Sequence, residues 1–400
     1  MLLLSEITLP NGRKIKNRMV KSAMGEGLAD NHNQPTDELI QLYKRWANGG
    51  VGLLISGNVK VDRKHLSSPG NLVIDDDTNL DKLRSLANAG TENNTCFVLQ
   101  INHPGKQTPK VMTKEPVAPS AIPIMKKLRG AFNTPRALLI EEIQDIIQKF
   151  INVGKIAQKA GFSGVQIHAA HGYLINQFLS PVDNQRTDQY GGNLENRMRI
   201  LIEIYQGLRE VTSPDFIIGL KINSSDFTEK GFNREDSYQV ILKMAELGID
   251  FVEISGSNYE KSKIIESKNK ELFFLEFAKK IQKQVKFPVI LTGGLTHTKV
   301  MEEVVSSEGI AMVGLGRALV MNPELPNQIS TGSCNLVNLP RLSTKIRRFD
   351  DKIGSIVGLS YYKQQMRRLA HGKDTKFTTN AWPVLFNAIM RQVQNSFKIK

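Results

Sequence analysis

Short apolar runs alternate with amphipathic segments along most of the chain. VGLLISGNV at 51–59 and CFVLQINH at 96–103 are nearly continuous in apolar residues, a pattern typical of strands buried on both faces of a parallel sheet. The segment 141–160 instead repeats apolar residues every three or four positions, which predicts an amphipathic helix. The pattern therefore predicts strands connected by helices.

Eight strands are predicted in this way, at 17–24, 51–59, 96–103, from Gly164 onward, 216–225, 251–256, 288–294 and 310–316. A first helix is predicted between the capping residue Thr36 and the terminating glycines Gly49-Gly50. Further helices are predicted over 141–160, 194–211, 236–247 and 299–305, and another follows a lysine-rich loop and ends at Gln284. Eight strands with crossover connections favour a (β/α)8 TIM barrel over an open doubly wound sheet. We expect the barrel to occupy residues 1–334 and a basic C-terminal helical extension to occupy 335–400.

The positive charge lies mostly in that extension. The chain carries a net charge of +14, of which residues 341–400 contribute +10 through 13 Lys and Arg against 3 Asp and Glu. A basic tail could bind nucleic acid. Here the basic residues are interleaved with apolar ones at close to helical spacing, so a docked amphipathic helix with a solvated basic face is the preferred interpretation.

The two cysteines, Cys96 and Cys334, form no C-x-x-C pair, so no disulfide framework, zinc centre or iron–sulfur cluster is predicted. No apolar run approaches the roughly 20 residues that span a bilayer, and the opening MLLL is too short for a signal peptide. We therefore expect a cytoplasmic protein.

Polar and small residues gather where the predicted strands end. Tyr173 and the pair His168 and His171 follow the fourth strand, and the other strand ends supply Ala23, Met24, Asn58, Gln100, His103, Lys221, Gly293, Gly294, Gly316 and Arg317. The carboxyl ends of parallel barrel strands meet at one mouth, so these residues are expected to form one site.

The last two strand ends, LTGG and GLGRAL, are typical of a phosphate site. Glycines there allow backbone N–H groups to approach phosphate oxygens, and Arg317 can add a two-pronged charge-assisted bond. Ordinary tight turns beside a surface arginine would give the same pattern.

The motif His168-x-x-His171 could be half of a metal site. A metal needs further ligands, and the other histidine near a strand end, His103, has no acidic residue beside it, so no metal is predicted. Two neutral imidazoles can instead donate hydrogen bonds to one carbonyl or phenolate oxygen, with Tyr173 as a proton donor. His103 is a further candidate for substrate binding.

Lys221 stands in the middle of the apolar strand IIGLKIN, where burial is costly without an anionic partner. A lysine held there could stabilise an anionic ring or a phosphate. A solvated lysine on the barrel rim is the alternative.

The segment HAAHGYLINQFLSP, followed by NQRTDQYGGNLENRMR, resembles the signature of the Old Yellow Enzyme family of FMN-dependent ene-reductases. NRMVKSAM, QINHPGKQ, APSAI, KINSSDFTEKGF, ILTGGL and GLGRAL are similar to family motifs and stand in the family's order. The resemblance implies a (β/α)8 barrel that holds FMN at its mouth.

Roles for the site residues follow from the resemblance. It implies flavin-ring contacts for Ala23, Met24, Asn58 and Gln100, a basic residue near the flavin pyrimidine in Lys221, and phosphate contacts for Gly294, Gly316 and Arg317. Gly293, in the same strand-end motif LTGG, is a further predicted cofactor-binding residue. It also implies that His168 and His171 hold a substrate carbonyl oxygen and that Tyr173 donates the proton.

The implied chemistry has two half-reactions in one pocket. NADH or NADPH would reduce the flavin, and a small electron-poor alkene such as an enone would then accept a hydride at Cβ and a proton at Cα. The expected partners exclude nucleic acid and membranes. A homo-oligomer is expected, with the extension at an interface.

Two glycines depart from the family pattern. Gly25 stands where one bacterial branch has cysteine and the yeast-type branch threonine, and Gly27 stands where that bacterial branch has an active-site tyrosine. Two other functions stay open: a diaphorase that passes electrons to oxygen, quinones or free flavin, and, more remotely, an RNA-modifying flavin reductase, which would need a catalytic loop cysteine.

Overall fold

The computed structural model describes residues 1–256 and 274–398. The lysine-rich loop predicted after the sixth strand lies outside these residues. None of the helices described in the two ranges combines the length and the apolar character needed to cross a bilayer.

All eight predicted strands form, and most are shorter than the apolar runs that predict them. They are Met19–Lys21, Leu53–Ile55, Cys96–Asn102, Gly164–Ala169, Ile217–Asn223, Phe251–Ser255, Val289–Thr292 and Met312–Gly314. Each pairs in parallel with the next, and the eighth pairs with the first, which closes the barrel. The predicted (β/α)8 architecture is confirmed.

The second strand resumes after a break. The short strand Val59–Lys60 follows residues 56–58 and pairs in parallel with the end of the third strand, where Lys60 lies opposite Asn102. This continuation adds side chains to the barrel mouth.

The α-helices described in the structure are Asp37–Asn48, Leu80–Gly90, Ile140–Ala160, Leu174–Leu179, Leu194–Val211, Arg234–Leu247, Leu275–Gln282, Thr298–Ser306, Arg317–Met321, Leu325–Ser330, Arg347–Ala370 and Trp382–Lys398. Their ends follow local chemistry. Thr36 caps the first helix by accepting a hydrogen bond from the backbone N–H of Leu39 at 3.2 Å. Gly161 ends the third at φ 94°, a conformation that favours glycine.

Shorter elements surround the barrel. Single turns of 3-10 helix cover Leu2–Leu4, Glu92–Asn94, Gly105–Gln107 and Lys126–Leu128, and two-residue strands pair Ile7–Thr8 with Lys14–Ile15 and Val117–Ala118 with Arg136–Ala137. Leu9 and Ile15 of the N-terminal hairpin pack against the lower interior of the barrel.

Side chains inside the barrel form an apolar layer and a polar layer. The period of two along a strand sends alternate residues inward. The layer near the strands' amino ends includes Val98, Ile217, Phe251, Ile290 and Met312. Inward positions closer to the carboxyl ends are polar, namely Gln100, Gln166, Lys221, Glu253 and Thr292. Polar chemistry is thereby confined to the mouth.

The helix Arg347–Ala370 packs against the barrel helices Asp37–Asn48 and Arg317–Met321. Its residues Tyr361, Met366 and Leu369 are buried. A helix therefore forms in the basic extension and docks on the barrel, but its apolar residues are not confined to the docked face, since Ile356 and Leu359 are exposed.

Candidate active site

His168 ends the fourth strand and lies at the centre of the site. Its Nδ1 accepts a hydrogen bond from the backbone N–H of Ala170 at 3.3 Å, so the proton of the neutral ring belongs on Nε2. Its ring centroid lies 5.1 Å from that of His171 and 4.9 Å from that of Tyr173, with both neighbours nearly perpendicular. The structure thus brings together the three residues predicted to act on the substrate.

His171 is held in a strained conformation. Its φ of 61° is rare for a residue with a side chain and is typical of functional sites. The backbone N–H of His171 donates to Oδ1 of Asn223 at 3.2 Å, and its Nε2 lies 2.6 Å from Oγ of Ser255. Ser255 therefore orients the imidazole, a contact that the sequence motif did not reveal.

Both imidazoles are neutral at pH 7. Burial, followed by the positive charge of Lys221, lowers the pKa of His171 to about 3. Burial and the neighbouring His171 and Lys221 lower the pKa of His168 well below its ordinary value. The pair can therefore donate hydrogen bonds without carrying charge.

A chain of hydrogen bonds crosses the polar layer below the mouth. Gln100 donates to Gln166 at 2.7 Å, and Gln166 donates to Glu253 at 2.8 Å. Lys221 and Thr292 donate to the other oxygen of Glu253 at 3.0 and 2.7 Å. Lys221 is buried, so the alternative of a solvated rim lysine is wrong.

Glu253 lies at the centre of these hydrogen bonds and was not singled out from the sequence. Burial alone would raise the pKa of its carboxyl, but the charge of Lys221 and the hydrogen bonds it accepts outweigh burial and lower it. Glu253 faces Lys221 in the pairing of the fifth and sixth strands. A charged residue within the apolar run FVEISG was the available signal.

The two predicted phosphate loops are neighbours. The strands before them pair Thr292 with Gly314. Gly293 and Gly294 adopt φ of 130° and 73°, and Arg317, an exposed residue, follows Gly316. The structure thus gathers these glycines and a cation at one edge of the mouth.

Ala23 and Met24 follow the first strand and are half-buried at the same edge. Met24 Sδ lies 3.4 Å from the position a Cβ would take on Gly316, so a larger residue there would crowd it. Asn58 lies in the break of the second strand, and its Oδ1 is buried without a hydrogen-bond partner among the described residues.

His103 lies in a separate cluster with Asp62 and His65. Its ring centroid is 4.7 Å from that of His65, and its Nδ1 accepts the backbone N–H of Gly105 at 3.1 Å. One ligand atom from each member of the cluster lies within 4.8 Å of the others. Lys149 donates to Oδ2 of Asp62 at 3.0 Å and His65 Nδ1 lies 3.3 Å from the same oxygen, so protein groups already engage this carboxylate.

Comparison with known proteins decides the family. The sequence model of the NADH:flavin oxidoreductase / NADH oxidase family matches residues 3–335. The chain belongs to this family. FMN and a nicotinamide reductant are accordingly the cofactors of this flavin oxidoreductase.

Individual relatives agree. This flavin oxidoreductase is 36% identical over 340 residues to the NADH-dependent flavin oxidoreductase nadA of Aspergillus parasiticus. The match covers 80% of this chain and 76% of the relative. It is 34% identical over 326 residues to an NADH oxidase of Thermoanaerobacter brockii, covering 80% of this chain and half of the relative's length. The fold matches the old yellow enzyme homologue from Zymomonas mobilis with a TM-score of 0.71 and 23% identity, over 85% of this chain and 95% of that chain. The resemblance seen in the sequence is confirmed.

The mouth of this flavin oxidoreductase fits FMN. The glycine loops lie beside Arg317, and glycines allow a phosphate to approach the backbone closely. The buried oxygen of Asn58, which has no partner among the described residues, could accept a hydrogen bond from a flavin N–H. Lys221 supplies a buried cation, which Glu253 offsets. The mouth therefore suits the cofactor of the family.

Proposed function

We propose that this flavin oxidoreductase reduces the activated C=C bonds of small α,β-unsaturated carbonyl compounds. The observation that supports the proposal is the group of His168, His171 and Tyr173, in which two neutral imidazoles, one buried and one half-buried, lie beside a buried phenol. Neutral N–H donors suit an oxygen on which negative charge develops during the reaction.

Each residue has a distinct task in this proposal. His168, whose Nε2 carries the proton, donates to the carbonyl oxygen and so polarises the alkene, and His171 supports it. Tyr173 gives its phenolic proton to Cα while Cβ receives the hydride, so that NADH, a proton and the alkene yield NAD⁺ and the saturated product. Bound FMN supplies the two-electron relay between the nicotinamide and the alkene.

We propose that the same mouth holds FMN through the residues that the resemblance named. Arg317 and the glycines Gly293, Gly294 and Gly316 would hold the phosphate, while Ala23, Met24, Asn58, Gln100 and Lys221 would surround the ring system. His103 stays a predicted substrate-binding residue, and its contacts with Asp62 and His65 make an indirect role the better proposal.

Replacing Tyr173 with Phe tests the proposed function. The ring is retained and the proton is removed, so reduction of cyclohexenone by NADH should fall at least about 100-fold, because a positioned acid contributes on the order of 10²–10⁴. Oxidation of NADH by oxygen should continue at a similar rate. Tyr238→Phe, on a surface helix, is the matched control and should change neither rate. Equal loss of both activities in Tyr173→Phe would contradict the proposal.

A diaphorase is the second candidate. The observation in its favour is the 2.6 Å contact between His171 Nε2 and Ser255, which occupies a nitrogen that would otherwise face a substrate oxygen. In that case Tyr173→Phe would leave every activity of the enzyme unchanged.

A further inference from the structure

Lys60 is a buried amine that faces the ring of Tyr173 and has no hydrogen-bond partner among the described residues. Its side chain is fully buried, and within residues 1–256 and 274–398 its Nζ has no hydrogen-bond partner and no carboxylate at ion-pair distance. The backbone is fixed, since the N–H of Lys60 donates to Leu72 at 2.8 Å and its carbonyl accepts from Ile74 at 3.1 Å. These backbone hydrogen bonds therefore hold Lys60 where its amine lies in the interior.

Asn102 has the same property and lies beside it. The two residues are register partners in parallel strands, so their side chains point to the same side of the sheet. Alternation along the third strand places Asn102 two positions beyond Gln100, on the inside of the barrel. Both polar atoms of the Asn102 side chain are buried without a partner in the described part of the chain.

The pair borders the proposed reaction centre. Lys60 Nζ lies 5.1 Å from the ring centroid of Tyr173. Its charge also contributes to the lowered pKa of His168. The amine is therefore next to both the proposed proton donor and the proposed carbonyl-binding histidine.

Leaving these groups unsatisfied is costly. A buried amide without a hydrogen bond destabilises the folded state, and a buried ammonium without an anion does so to a greater extent. Burial lowers the pKa of Lys60 well below its usual value. A carboxylate placed between the two side chains would accept charge-assisted hydrogen bonds from Lys60 and a further bond from the Asn102 amide.

We propose that Lys60 and Asn102 bind a carboxylate of the substrate, so that the alkenes this enzyme prefers are anionic. The inference rests on the proposed alkene reduction and narrows it to a substrate class. In this proposal the short strand Val59–Lys60 contributes to substrate specificity.

Matched esters test this assignment. Monomethyl fumarate carries one carboxylate and dimethyl fumarate carries none, and each is an electron-poor alkene. We expect Lys60→Met to lower the ratio of kcat/KM for the monoester to that for the diester at least tenfold, and Asn102→Ala to lower it by a smaller factor. Lys64→Met, an exposed lysine of the same segment, is the control and should leave the ratio unchanged.

Binding of the saturated products separates this inference from the proposed function. Calorimetry measures the affinity for monomethyl succinate and dimethyl succinate without turnover. Lys60→Met should weaken binding of the monoester at least tenfold more than binding of the diester. Flavin content verifies that the variants fold. If the wild-type enzyme reduces neither monomethyl fumarate nor dimethyl fumarate, the proposed function is wrong. If monomethyl succinate does not bind, or if Lys60→Met affects both esters equally, the carboxylate site is wrong.

Discussion

Glu253 sets the charge around Lys221, the residue predicted to lie beside the flavin. The carboxylate accepts three hydrogen bonds inside the barrel, and one of them comes from Lys221 at 3.0 Å. A lone lysine would favour a negatively charged reduced flavin, but an ion pair has little net charge. The polar layer therefore moderates the effect that the sequence analysis assigned to Lys221.

Replacing Glu253 with Gln should make the flavin easier to reduce. The variant keeps the shape of the side chain and removes the negative charge, which exposes the cofactor to the charge of Lys221. We expect the two-electron potential to rise by about 30 mV, equivalent to a tenfold change in the equilibrium constant. Dye equilibration measures it, with the exposed Glu246→Gln as the control. A potential that stays constant or falls would contradict this account.

Single residues were predictable where chemistry is local in the sequence. His168, His171 and Tyr173 lie within six positions, so one motif identified all three. Glu253 was missed, and so was the contact of the strand-end residue Ser255 with His171, because these contacts depend on how distant strands pair. The register between strands, which decides these contacts, is fixed by packing of the whole barrel.

At the level of elements, the apolar runs predicted every barrel strand, since strands buried on both faces have a strong signal. The helix Leu80–Gly90 was missed although Asn79 caps it, because its apolar stripe is short. The break that sends Lys60 inward was also missed. Apolar content identifies a strand, but it does not show where the hydrogen-bonded pairing between strands is interrupted.

The docking of the C-terminal helix was predictable only in part. Its amphipathic pattern indicated burial, but not the partner. In the structure, the guanidinium of Arg317 lies close enough to Tyr362 to oppose the rise that burial causes in the pKa of that phenol. Lys363 Nζ lies 3.5 Å from the position a Cβ would take on Gly27. The extension therefore borders the predicted phosphate loops.

At the level of the whole molecule, the extension presents apolar side chains to solvent. Ile356 and Leu359 are each 61% exposed, and Phe386 and Ile389 are exposed to a similar degree. Exposed apolar groups of this kind are typical of association surfaces. They support the prediction that the extension contributes to a homo-oligomer interface.

The double variant Ile356→Asp/Leu359→Asp tests that prediction. Because both side chains are exposed, the fold should survive, whereas charges at an interface should reduce the molecular mass seen by light scattering. Lys373→Asp, also exposed, is the control. An unchanged mass for the double variant, or a wild-type protein that is already monomeric, would show that the extension does not join subunits.

An anaerobic visible spectrum tests the central claim most directly. The spectrum of the purified protein is recorded before any addition, after NADH or NADPH is added, and again after cyclohexenone is added. We expect a yellow protein that bleaches with the nicotinamide and regains its colour with the enone, which would establish the flavin, the reductant and the reaction together. Colour that returns only when air is admitted would contradict alkene reduction, and a colourless protein that FMN cannot reconstitute would contradict the whole account.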